Sequence, residues 1–200
     1  MTPQQLARLL VEIGAVEVRT DPERWFTWAS GRRSPIYCDN RVLCSFPEQR
    51  ARVAQALAAA IRQGFPDVEV IAGTATAGIP HAAWVADRLG LPMVYVRGAA
   101  KGHGQQKRVE GRALRGERVV LVEDLVSYGG SALDAVEALG AEGGKLIGVQ
   151  AIFSFGLPDA VKAFETAGVA WQTLGDYESL LETLSLSPAE LRALRDWRAR

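Results

Sequence analysis

Two hundred residues with 48% hydrophobic content can bury one substantial core, and a composition near the globular average excludes disordered and fibrous classes. Lys+Arg and Asp+Glu both number 23, so the formal net charge is zero and no bulk field draws the chain to nucleic acid or to an anionic membrane. No apolar run approaches the length of a membrane span. The N-terminus lacks a basic segment followed by an apolar one, so the sequence reads as a cytoplasmic protein with no membrane partner. Cys38 and Cys44 have no metal-type spacing to a histidine and read as two free thiols.

In chain order, Thr2, Pro3 and Gln5 fit the N-cap, first and third positions of a capping box, and Leu6, Leu9, Leu10 and Ile13 follow at helical spacing up to Gly14. Residues 20–46 read as irregular. A second helix is predicted from Pro47 to Gly64 through Val53, Leu57 and Ile61. Strands and helices then alternate: a buried strand at 68–72, a helix at 80–89 closed by Gly90, and a strand at 92–96. Residues 98–117 form a long polar loop with room for a hairpin. A strand at 118–122, a helix at 131–139, a strand at 146–153, a helix at 158–167 and a strand at 170–174 follow. The end is helical, opened by a second capping box at Ser187, Pro188 and Glu190, with Leu191, Leu194 and Trp197 on one stripe. Trp84 reads as core, and His81 as a capping or solvent-facing residue. This alternation predicts an α/β fold, a mostly parallel sheet flanked by helices, with ligands at the carboxyl ends of the strands.

The most informative stretch is Val119-Val120-Leu121-Val122-Glu123-Asp124-Leu125-Val126-Ser127-Tyr128-Gly129-Gly130-Ser131. An aliphatic run ends in two adjacent acids, then a small-residue loop leads into a helix. Gly129 and Gly130 let the backbone turn several N–H groups toward one point at the positive end of a helix, and Ser127 and Ser131 add hydroxyls. That is a monophosphate cradle without a lysine. It lacks the Gly-Lys-Ser/Thr of a Walker loop and the G-x-G-x-x-G of a dinucleotide fold. Acids just upstream of such a cradle can accept hydrogen bonds from sugar hydroxyls.

The segment resembles the phosphoribosyl pyrophosphate motif of type I phosphoribosyltransferases. The resemblance implies that Glu123 and Asp124 bind the ribose and that Leu125, Val126, Ser127, Tyr128, Gly129, Gly130 and Ser131 hold the 5-phosphate. Three further blocks narrow the family. Tyr95-Val96-Arg97-Gly98-Ala99-Ala100-Lys101-Gly102-His103-Gly104 is similar to the mobile catalytic loop of orotate phosphoribosyltransferases, which closes over the neighbouring subunit's site. By position, Arg97, Lys101 and His103 would contact pyrophosphate and, with Asp124, form the catalytic set. Phe26-Thr27-Trp28-Ala29-Ser30-Gly31-Arg32-Arg33-Ser34-Pro35 is similar to the block that belongs to a small hood over the base. Gly73-Thr74-Ala75-Thr76-Ala77-Gly78 looks like the pyrophosphate loop, so Thr74, Ala75 and Thr76 are expected to touch the donor. Gly98, Ala29 and Ala77 stand where some members carry lysine.

The resemblance thus implies one phosphoribosyltransferase domain over 1–200. The hood is about 1–45 plus the C-terminal segment, and the core is about 46–175. It implies Mg²⁺ held mainly by substrate and water, orotate and phosphoribosyl pyrophosphate as substrates, and a homodimer with shared sites. For orotate, Ser127 and Tyr37 are the expected contacts, with Arg32 or Arg33 open to its carboxylate. Another base-specific phosphoribosyltransferase, or a non-catalytic regulator that senses phosphoribosyl pyrophosphate, would share the phosphate loop. The first should lack the Arg97-to-Gly104 pattern. The second usually carries a basic nucleic-acid surface, which a chain of zero net charge does not offer.

Overall fold

The structure is a computed structural model that describes residues 1–28, 31–98 and 107–199. It opens with α1 (Pro3–Glu12), in which the Thr2 hydroxyl accepts from Gln5 N–H at 3.2 Å and the Gln5 side chain accepts from Thr2 N–H at 2.9 Å. Two otherwise orphaned donors are thereby satisfied reciprocally. A short strand β1 (Val16–Val18) follows, and the residues expected to be irregular carry three more: β2 (Phe26–Thr27), β3 (Arg33–Ser34) and β4 (Ile36–Cys38). β1 pairs with β4 and β2 with β3, both antiparallel, and a six-residue 3₁₀ segment (Asn40–Ser45) follows. These strands are too short for a periodicity of two to stand out in the sequence.

The main body runs α2 (Pro47–Gly64), β5 (Val70–Thr74), α3 (Gly78–Leu89), β6 (Met93–Val96), β7 (Val109–Glu110), β8 (Arg118–Val126), α4 (Gly130–Ala141), β9 (Lys145–Ser154), α5 (Pro158–Ala167) and β10 (Trp171–Asp176). α6 (Tyr177–Leu181) and α7 (Pro188–Ala199) complete it. The sheet order is β10-β9-β8-β5-β6-β7, parallel throughout except β7, which returns antiparallel on β6 as the hairpin allowed for in the long loop. Alternate residues of β8 face opposite layers. Val120 and Val122 join the core beneath α1, α2 and α3, whereas Val119 and Leu121 join the core beneath α4 and α5. A sheet buried on both faces requires such continuous aliphatic strands.

Four expectations need correction. β8 does not stop at Val122: its pairing with β9 continues through Glu123↔Ala151, Leu125↔Phe153 and Val126↔Ser154, so both acids lie on the strand. α6 was not anticipated. It is short and begins where the Asp176 carboxylate accepts from Ser179 N–H at 2.8 Å. His81 neither caps nor faces solvent, since the inward stripe of α3 is Gly78, His81, Ala82, Val85 and Ala86, and His81 is fully buried. Burial pushes its pKa down to about 4. Trp84 lies off that stripe and is only half-buried, with its ring 5.4 Å from His81 and the Arg50 guanidinium 5.0 Å from its centroid.

Chain start and chain end meet. The Trp197 indole donates to Arg33 C=O at 2.8 Å, its ring packs edge-on against Trp28 and Phe155, and Tyr177 donates to Leu194 C=O at 2.9 Å. Arg32 donates to Trp197 C=O at 3.0 Å and to the Tyr128 hydroxyl at 3.2 Å, tying α7 to the loop after β8. Trp197→Ala is expected to lower stability by about 3–5 kcal/mol in urea unfolding, the range for deleting a buried Trp. A loss below about 1 kcal/mol would show that α7 is not held as described.

Candidate active site

A cleft of about 850 Å³ opens at the carboxyl ends of β5 and β8. Thr27, Trp28 and Tyr37 border it from the N-terminal strands, Asp124, Ser127, Tyr128 and Ser131 from β8 and its loop, and Ala75 and Ala77 from the loop after β5. This is where a parallel sheet presents its loops and the first turns of its helices.

Asp124 lines the cleft, and Glu123 lies buried next to it. Glu123 is 4% exposed; its carboxylate accepts from Asp124 N–H at 3.1 Å and, at 3.4 Å, from the Ser131 hydroxyl. Burial, with the neighbouring charge of Asp124 added, holds the Glu123 pKa well above the ordinary carboxylate value. Asp124 is also raised by burial, against lowering by hydrogen bonding with Glu123 and with backbone N–H groups and, least, by the Arg41 cation. Asn40, fully buried, donates to Asp124 C=O at 2.6 Å and so fastens the 3₁₀ segment to the end of β8. Beside it, the Cys38 thiol is driven far up by burial and by the charges of Asp124 and Asp39, so it stays protonated and is no nucleophile.

The cradle follows. Gly129 has φ +80°, and a Cβ there would sit 2.8 Å from the Phe164 ring, so both conformation and packing demand glycine. Gly130 opens α4 with free space around it, and the first N–H groups of a helix have no partner within the helix. Leu125 and Val126 are the last strand residues; Leu125 lines the cleft and Val126 is buried in the core.

The other expected residues divide. Thr74 ends β5 and is 5% exposed; Ala75 lines the cleft, its N–H donating to Val96 C=O at 2.8 Å, and the Ala75–Thr76 peptide bond is cis. Tyr37 stands at the rim, 40% exposed, its ring 5.5 Å from Phe26. Arg97 does not line this cleft. It follows β6, where its N–H donates to Arg108 C=O at 2.9 Å and its guanidinium lies 3.7 Å from Glu110. Lys101 and His103 lie outside the described residues. Arg32 is engaged with Tyr128 and Trp197, and Arg33 with Pro22 C=O, so each is already committed to hood contacts.

The sequence reading missed Asp39, Asn40, Arg41, Trp28 and Phe155. The first three stand as a polar run directly behind the apolar β4, which was the available signal. Arg41 forms a forked pair with Asp39, at 2.6 and 2.7 Å, and donates to the Tyr37 hydroxyl at 3.3 Å. The guanidinium holds the Asp39 carboxyl below its usual range. Trp28 and Phe155, with centroids 4.8 Å apart, and Tyr128, edge-on to Trp28 at 6.3 Å, make an aromatic wall. Among the described residues no group of three or more His, Cys, Asp or Glu could hold a metal ion without other ligands. The oxygen donors available, Glu123 and Asp124, suit a hard divalent cation that keeps most of its ligands from elsewhere.

Because the folded-state pKa of Glu123 lies above its ordinary 4.5, the side chain works against folding once pH exceeds that value. The penalty grows until pH reaches the folded-state pKa. It vanishes in acid, where both states are protonated. Glu123→Gln is therefore expected to raise the melting temperature at pH 7–8 by about 2–4 °C, the shift that ~1 kcal/mol gives in a chain of this size. Near pH 4 the gain should disappear; an equal gain at both pH values would contradict a raised pKa.

Comparison with known proteins agrees with this architecture. The phosphoribosyl transferase domain family matches residues 47–157, from the start of α2 to the turn before α5. An orotate phosphoribosyltransferase of Bacillus cereus is 49% identical over 199 residues, covering 98% of this chain and 94% of that one. The crystal structure of orotate phosphoribosyltransferase from Aeropyrum pernix superposes with a TM-score of 0.78 at 32% identity, over 88% of this chain and 96% of that one. The Mycobacterium tuberculosis orotate phosphoribosyltransferase in complex with 5-phospho-alpha-D-ribosyl 1-diphosphate superposes with a TM-score of 0.67 at 26% identity, over 89% and 98%. A strand that carries its acid pair into a glycine-bound loop, on a fold and a sequence shared at this level, places the chain in the orotate phosphoribosyltransferase family.

Proposed function

We propose that the chain transfers the phosphoribosyl group of phosphoribosyl pyrophosphate to orotate, giving orotidine 5′-phosphate and pyrophosphate in the synthesis of pyrimidine nucleotides. The observation that carries this is the Glu123–Asp124 pair at the end of β8, directly ahead of the Gly129 turn, with Asp124 lining a cleft that Trp28, Tyr128 and Phe155 also line and Glu123 buried behind it.

The residues divide the work by chemistry. Glu123 and Asp124 accept hydrogen bonds from the two ribose hydroxyls, which orients the sugar and places negative charge near C1. As the C1–O bond to pyrophosphate breaks, positive charge develops on the ring and those carboxylates favour it. Gly129, Gly130 and Ser131, with Ser127 and Tyr128, hold the 5-phosphate at the start of α4. Orotate N1 bonds to C1 from the side of Trp28, Tyr128 and Phe155, with Ser127 and Tyr37 at its edge, as the C1–O bond breaks, and the N1 proton leaves to the departing pyrophosphate or to water. Thr74, Ala75 and Thr76 receive the leaving pyrophosphate. Arg97, Lys101 and His103 neutralise it from the partner subunit of a homodimer, closing over the cleft and excluding water. The donor set fits Mg²⁺, which would shield the charge of the donor's pyrophosphate and lie near Glu123 and Asp124, bound mostly by substrate oxygens and water.

Residues 1–45 together with α7 act as the hood over the base. No helix among the described residues is long and apolar enough to cross a membrane, in keeping with work in the cytoplasm.

The reading is tested by following orotate absorbance with phosphoribosyl pyrophosphate and Mg²⁺, with uracil, adenine and hypoxanthine in parallel. Orotate loss that needs both donor and metal is expected. Turnover of another base alone, or none, would overturn it. Lys101→Ala should lower kcat by about 10²–10³, the loss seen when one transition-state donor is removed. Mixing it with Asp124→Asn should restore activity through one intact site per heterodimer. Unchanged kcat in Lys101→Ala would remove that residue from the mechanism, and absence of rescue would count against a shared site.

A further inference from the structure

The cleft is asymmetric in its chemistry. One wall is aromatic, built by Trp28, Tyr128 and Phe155. The lining also carries charge, Asp39, Arg41 and Asp124, and includes Ala75 and Ala77 of the loop after β5. Among the described residues that line the cleft, Arg41 is the one cation. The charges set against it are Asp39, the raised Asp124 and, beneath, Glu123. A donor that carries a pyrophosphate brings several more negative charges to this site, and carboxylates alone would repel it.

The position of Arg41 is built. Asn40, the residue before it, is fully buried and bonded to Asp124 C=O, so the 3₁₀ segment cannot drift from the strand end. Asp39 takes the Nε and one Nη2 donor of the fork, and the Tyr37 hydroxyl also accepts from Nη2. A guanidinium has five N–H donors. Nη1 meets no acceptor among the described residues, and the side chain is 62% exposed, toward the cleft it lines. Asp39 thus fixes the orientation of the fork and leaves its far edge for a ligand.

We infer that Arg41 is a substrate-binding residue whose Nη1 edge takes a phosphate oxygen of the donor's pyrophosphate group, held in place by Asp39 and Asn40. The inference rests on the reading of the cleft as a phosphoribosyl pyrophosphate site. It assigns the charged lining to the leaving group and the aromatic wall to the base. Because Arg41 lies beside Asp124, the same cation keeps the acid pair usable while the donor is bound.

The test is steady-state kinetics of Arg41→Ala and Arg41→Lys, together with calorimetric titration of each protein with pyrophosphate and Mg²⁺. Losing one charged hydrogen bond to an anion corresponds to about 10–100-fold in affinity. In Arg41→Ala the KM for phosphoribosyl pyrophosphate and the Kd for pyrophosphate should both rise by that order, while the KM for orotate stays within twofold. Arg41→Lys keeps the charge without the fork and should fall between. If Arg41 merely steadied the hood, the KM for orotate would rise in parallel, and that result overturns the inference. So does an unchanged Kd for pyrophosphate. Should Arg41→Ala not fold, the Arg41→Lys titration decides by the same criterion. A wild-type protein that fails to turn over orotate would sink the proposed reaction, whereas the pyrophosphate titrations would still judge Arg41.

Discussion

Ionising Glu123 inside the protein costs free energy, because the side chain is 4% exposed and Asp124 follows it directly. Much of the surrounding structure answers to that cost. Asp124 N–H and the Ser131 hydroxyl bond to the Glu123 carboxylate, Asn40 bonds to the carbonyl behind it, and Arg41 sets a positive charge nearby. A pair held in this way is poorly solvated before substrate arrives. In the proposed reaction, ribose hydroxyls and a divalent cation would supply what water does not, directing binding energy at the sugar whose C1 must react.

The same strand connects this site to the fold. β8 is central in the sheet, paired on both sides, and its inner residues Val119 to Val122 are fully buried in two layers. Its carboxyl end emerges rigidly, and the turn at Gly129 follows at once, so acids and phosphate cradle are set by one backbone trajectory. The hood is anchored too: Trp28, Arg32 and Trp197 bridge the first strands, α7 and Tyr128, and Ile36, Leu43, Leu194 and Trp197 are buried in the main core.

Much of this was legible in the chain itself. The capping boxes at Thr2 and Ser187 and the glycine stop at Gly90 are local signals that the structure has where they were read, and the aliphatic runs of β5, β8 and β9 are strands, with β5 found two residues further along and β8 four residues longer than read. The acid pair and glycine loop were legible because charge, chain flexibility and spacing all occur within a dozen residues. What was not legible depended on distant packing. The extension of β8 through its acids needs β9 as a partner. The burial of His81 depends on α2 covering its face of α3, and the engagement of Arg32 with Trp197 joins residues 165 positions apart. Asn40 and Arg41 were overlooked for the same reason: their meaning comes from Asp124, far along the chain.

The central claim is that burial raises the pKa of Glu123 and that binding of the donor draws this side chain into its ionised form. Calorimetric titration of preformed Mg²⁺–phosphoribosyl pyrophosphate into wild-type and Glu123→Gln protein, near pH 7 in two buffers of different ionisation enthalpy, measures this directly. The account predicts that the wild type releases more protons on binding than Glu123→Gln does. Equal proton release from the two proteins would contradict it, because the carboxylate would then have been ionised before any substrate arrived.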